Sequence, residues 1–222
     1  MNPQILGLIT TNNLKEIISR LNFLRGLFAI LIVIGHCSIV FEKELLPLYL
    51  IHKFNMVGVC FFFFASGVSL TYNFYHKQGY LKHFLRNKAL YLFIVAFLSL
   101  LAGNLLKAVI LKVSLNWGIV LLTQFNWYIY EILIFYFTFY FVYSKVQKKY
   151  YRELIILAVT VVICFTTIYF DRHGEWGGWG KSYYISCFSF PYGIIIGEHF
   201  DQIKRKFCGH VLIYSAALFW LA

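Results

Sequence analysis

SRLNFLRGLFAILIVIGHCSIVF, residues 19–41, is an apolar run that nevertheless contains an arginine and a histidine, Arg25 and His36. Its length falls in the range of about 17 to 25 residues that crosses a bilayer as one helix. A charge at the bilayer centre costs about 2.5 to 3.5 kcal/mol on insertion scales, so neither residue is neutral filler. They are eleven positions apart. At about 100° per residue this is three turns plus about 20°, placing both on one face about 16 Å apart along the axis. Taken alone, Arg25 also fits an anchor reaching back to the interface, and His36 a neutral histidine bonded to a neighbouring helix.

Outward from this stretch the pattern repeats. Phe54 to Tyr75, Ala89 to Leu106 and Leu154 to Phe170 contain no Asp, Glu, Lys or Arg. Of 222 residues, 60% are hydrophobic and 13% charged, about half the charged share of a soluble domain. The expected fold is therefore an all-α, polytopic transmembrane bundle. Spans are expected near 21–41, 54–75, 88–110, 126–143, 154–170 and 182–198, with a seventh beginning near 208. No repeat or linker divides the chain, so residues 1–222 read as one domain. The first run reads as a retained helix, since no small-residue cleavage site follows it.

The net charge of +11 would suit nucleic acid, but the charges lie between the apolar runs rather than along one polar face. Alternating the loops puts thirteen basic residues on one side: Lys15 and Arg20; Lys77, Lys82, Arg86 and Lys88; Lys145, Lys148, Lys149 and Arg152; Lys204, Arg205 and Lys206. Five fall on the other: Lys43, Lys53, Lys112, Arg172 and Lys181. The positive-inside rule then predicts a cytoplasmic N-terminus, and no nucleic-acid partner is expected. The five cysteines form no CxxC or Cys/His metal spacing and read as small core residues. Only sixteen residues follow Lys206, without a polar tail, so further spans are expected beyond Ala222.

Glu131 is the other ionisable group well inside a run, four residues after Trp127 and so on the same helical face. It has two readings, a structural ion pair or a group lining a polar site. Ser66 and Gly67 suit close helix packing or line the site, and no triad spacing accompanies the serine. Lys107 and Glu198 stand near span ends, where their charges would reach water, and Pro191 is expected to kink the sixth span. Trp176, Trp179, Tyr183 and Tyr184 form an interfacial belt or a stacking surface for carbohydrate. His173 and Glu175 are too sparse for a metal site.

Four segments together resemble the membrane acyltransferase type 3 family: RLNFLRGLFAILIVIGH, with its arginine and histidine separated by ten residues, GVCFFFFASGV at 58–68, HFLRNKALYL at 83–92 and NWYIYEILIFY at 126–136. Asn22 stands where that family usually has an acidic residue, Cys60 where aspartate is common and Val68 where an aromatic is common, so the subgroup is left open. Members have about ten spans. The resemblance implies a bacterial cytoplasmic-membrane enzyme that moves an acyl group, most simply acetyl from acetyl-CoA, to a hydroxyl of a surface polysaccharide or its lipid-linked precursor. It implies His36 as general base and Arg25 as positional or donor-binding partner, with Glu131 in support. Arg86 and Lys88 are candidates for the phosphates of acyl-CoA, though positive-inside anchoring serves equally for both. No metal is expected. A histidine, with an unperturbed pKa of about 6.5, suits proton removal from an attacking hydroxyl. A saccharide or lipid-intermediate flippase would use the same buried ionisable groups, but no inverted repeat or paired broken helices are visible. An inactive fragment is the remaining alternative.

Overall fold

The structure, a computed structural model, describes residues 19–34, 46–112, 127–172, 186–200 and 202. Among these residues every regular element is helical. Helix α1 covers residues 19–34, α2 Leu46–His76, α3 Tyr91–Leu111, α4 Trp127–Lys145, α5 Lys149–Arg172 and α6 Ser189–Glu198. A short 3-10 turn, Tyr80–His83, and a wide π turn, Leu85–Leu90, lead from α2 into α3. Gly79 has φ 64°, a left-handed backbone that glycine adopts without a Cβ clash, and it turns the chain after α2.

Among the described residues, three stretches are long and apolar enough to cross a membrane: Met56–His76, Leu85–Ile110 and Lys149–Tyr169. At about 1.5 Å per residue, 21 residues reach about 31 Å, the thickness of the hydrocarbon core. Helix α4, at 19 residues, is long enough, but five tyrosines and Glu131 make it less apolar. Polar side chains within the helices turn back onto their own backbone. Thr71 donates to the Gly67 carbonyl, Asn104 to Leu100, Thr160 to Ile156 and Thr166 to Val162, at 2.8 to 3.0 Å. Such bonding suits helices in a medium that offers no water.

The chain divides into two compact units, Met1–Tyr72 with Phe188–Ala222, and Asn73–Cys187. In the first, α1 and α2 pack antiparallel. A Cβ on Gly58 would lie 3.0 Å from Ile32, Phe28 meets Phe61 at 4.7 Å, and Leu21 is buried with Phe64, Ala65 and Val68. Helix α6 lies closer still. A Cβ on Gly193 would come within 2.2 Å of the Phe64 carbonyl, one on Gly67 within 2.5 Å of the Phe190 carbonyl, and one on Gly197 within 2.7 Å of Thr71. Gly193 and Gly197 are four apart, one turn of the same face, so the two backbones touch through a GxxxG stripe. Gly67 thus serves the close packing expected of it.

The second unit is joined by rings. Phe84, buried ahead of the π turn, meets Phe139 at 5.5 Å, Tyr136 at 6.0 Å and Tyr140 at 6.2 Å on α4. Ile132, Phe135, Phe139 and Val142 recur at helical spacing as the buried stripe of α4, and Arg152, Ile156, Thr160 and Thr167 as that of α5. Burial, and secondarily Tyr136, holds the Tyr80 hydroxyl well above the ordinary tyrosine range, so it stays protonated.

Helix is thus present at six of the seven expected positions, while the region after residue 202 lies outside the described residues. Three expectations change. The stretch drawn as a sixth span is interrupted at Cys187–Phe188, and α6 has only ten residues, about 15 Å. Pro191 does not kink it. It is the third residue of α6, in the first turn, where a missing N–H removes no helical bond. Glu198 is buried rather than turned to the surface, and it has an interaction partner.

Candidate functional site

Arg25 is placed by the turn before it. Leu21 anchors α1 in the apolar cluster on α2, and Arg25, four residues later, stands one turn further along. Helical side chains lean toward the helix N-terminus, so a long one covers the preceding turn. The Arg25 head group does this. Its Nη1 donates to Asn22 Oδ1 at 2.9 Å, and its Nη2 donates across to Ser69 Oγ on α2 at 3.2 Å. The side chain is therefore held between two helices instead of trailing toward an interface. Both acceptors are neutral, so neither contact cancels the guanidinium charge. His36 lies outside the described residues.

The second unit holds the remaining candidates. Glu131 is fully buried, 0% exposed, and lies four residues before Phe135 and eight before Phe139 on the buried stripe of α4. Neither carboxylate oxygen has a hydrogen-bond partner among the described residues. A buried carboxylate ordinarily requires partners or a polar cavity, so this position carries an unsatisfied polar demand. Arg86 and Lys88 are exposed on the π turn, which buries Ala89 between them and α3. Arg86 Nε lies 3.5 Å from Asn87 Oδ1, a long contact that leaves the side chain at the surface. By loop charge and by the acyl donor that the resemblance implies, these two residues are grouped with Arg25. In the structure Arg86 and Lys88 belong to the second unit and Arg25 to the first.

Two features escape the sequence reading. Ser69 meets Arg25 although nothing in its immediate neighbours marks it, whereas Asn22, the other acceptor, stands out as a departure from the pattern of the family that the chain resembles. Arg152, grouped above with surface lysines, is only 7% exposed. Its Nε donates to the Val146 carbonyl at 2.7 Å and its Nη1 to the Tyr75 hydroxyl at 3.1 Å, while the guanidinium lies 4.6 Å from the Tyr143 ring and 5.0 Å from Phe74. Its place in the 152, 156, 160 spacing was the available signal. Such cation–ring contacts contribute about 0.5 to 2 kcal/mol each. Arg152 therefore fastens the start of α5 to the end of α2. Among the described residues no three His, Cys, Asp or Glu side chains gather as metal ligands.

No curated protein and no solved structure matches the chain. A family model described as an acyltransferase domain matches residues 18–222, from just before the Arg25 helix to the last residue. With the match covering nearly all of its length, the chain belongs to the acyltransferase 3 family, and it is a helical protein of membrane character.

Proposed function

We propose that this acyltransferase is a multi-pass enzyme of the cell membrane, N-terminus in the cytoplasm, that moves an acetyl group from acetyl-CoA to a hydroxyl of a surface polysaccharide or its lipid-linked precursor. His36 takes the proton from the acceptor hydroxyl as its oxygen attacks the thioester carbonyl. The tetrahedral intermediate then collapses, the carbon–sulfur bond breaks, and the CoA sulfur receives the proton from His36. Arg25 binds an anionic part of the donor, Arg86 and Lys88 assist with its phosphates, and Glu131 supports the site.

The observation that carries this reading is the hold on Arg25. An arginine within the first helix of a family acyltransferase donates to neutral groups on two helices, which orients the guanidinium. Arginine presents a planar fork of N–H donors suited to phosphate and carboxylate oxygens. The test is to supply radiolabelled acetyl-CoA to membranes from cells with and without the protein, then measure base-labile acetate on surface polysaccharide. Label should appear only where the protein is present. Equal labelling in both membranes would overturn the assignment, and saccharide translocation without labelling would favour a flippase.

A further inference from the structure

We infer that Ser69 is a positioning residue for the acyl donor, holding the Arg25 guanidinium where it meets the donor's anionic group. This rests on the donor-binding role proposed for Arg25. Arginine has about 2 kcal/mol of rotamer entropy, so a side chain that must greet an anion in one orientation benefits from being fixed beforehand. Here each terminal nitrogen has a separate acceptor, Asn22 on the same helix and Ser69 on the next, and contacts at both nitrogens define the guanidinium plane.

Asn22 can follow any movement of α1, because it lies three residues away on that helix. Ser69 cannot. It sits on α2 between Val68, buried against Leu21, and Leu70, also buried, and two residues after Gly67, whose backbone abuts that of α6. Its hydroxyl is presented by a tightly packed part of the first unit. Ser69 therefore fixes Arg25 relative to a second helix, and a neutral hydroxyl does so without competing with the donor for the positive charge. A carboxylate in its place would form an ion pair and oppose an incoming phosphate.

The experiment uses membranes containing the full chain at matched abundance, acetyl-CoA as the varied substrate and native polysaccharide as acceptor. Ser69→Ala should raise the KM for acetyl-CoA about five- to tenfold, as expected for losing one hydrogen bond to a charged group, with kcat within about twofold. Ser69→Cys, which keeps the volume but offers a weak acceptor, should do the same, and Ser69→Thr should restore the KM. In an Arg25→Lys background the Ser69→Ala change should add less than about twofold, since the paired group has changed. An unchanged KM, a loss confined to kcat, or the same effect in the Arg25→Lys background overturns the role of Ser69 while leaving acyl transfer standing. Absence of transfer by the unaltered chain overturns the proposed function itself.

Discussion

Gly193 and Phe84 occupy corresponding roles in the two units with opposite chemistry. At Gly193 there is no room for a methyl group, because the Phe64 carbonyl lies 2.2 Å from where a Cβ would stand. At Phe84 a whole ring fills the space between the π turn and α4, touching three rings of that helix. The first unit brings backbones together by removing side chains, and the second keeps helices apart with large ones. Removing side chains gives a contact that tolerates no addition, whereas ring packing can lose volume by degrees. The unit with the tighter contact is also the one that fixes Arg25.

Enlarging Gly193 tests that difference most severely. Gly193→Leu should prevent stable packing of α6 on α2, a loss above about 3 kcal/mol, read as failure to resist protease after membrane insertion or as loss of a thermal transition in detergent. A normal melting curve would contradict the glycine contact. Phe84→Ala should cost about 3 kcal/mol through the cavity it leaves, and Phe84→Leu clearly less, measured by the same unfolding experiment. If both Phe84 variants matched Gly193→Leu, the graded character assigned to the second unit would be wrong.

The ionisable groups sharpen the contrast at smaller scale. Arg25 has named neutral partners, whereas Glu131 has none among the described residues. Glu131→Gln preserves shape and removes charge, so the folded state should change by less than about 1 kcal/mol, while acetyl transfer falls about tenfold if the carboxylate supports the site. A stability loss above about 3 kcal/mol would instead reveal a buried ion pair with a group outside the described residues.

Run length and composition made the helices legible, because the requirement to satisfy every backbone group in an apolar medium leaves few alternatives. Leu46–His76 and Lys149–Arg172 extend past the expected 54–75 and 154–170 by one or two turns at one end, the first through the mostly apolar LPLYLIH beyond Lys53, where the charge-free run stopped, and the second into the polar KYYRE. Helical spacing put Glu131 on one face with Trp127, and the structure shows that Glu131 is buried. Neighbours distant in sequence were not legible. Arg152 resembled the exposed lysines beside it until Phe74 and Tyr143 enclosed it. Ser69 resembled any small residue of a span until Arg25 reached it from 44 residues away. Pro191 looked like a kink because its position in a helix depends on where that helix begins. The pairing of Arg25 with His36 rests on sequence spacing and on the resemblance of this stretch to the family's first helix.

Replacing the base tests most directly the proposal that Arg25 and His36 carry acyl transfer. Transfer of labelled acetate from acetyl-CoA to surface polysaccharide should be measured for the unaltered chain and for His36→Ala at equal abundance in the membrane. Loss of about a hundredfold or more, with unchanged insertion and melting, is the predicted result for removing a general base. Transfer by His36→Ala at the unaltered rate would contradict it.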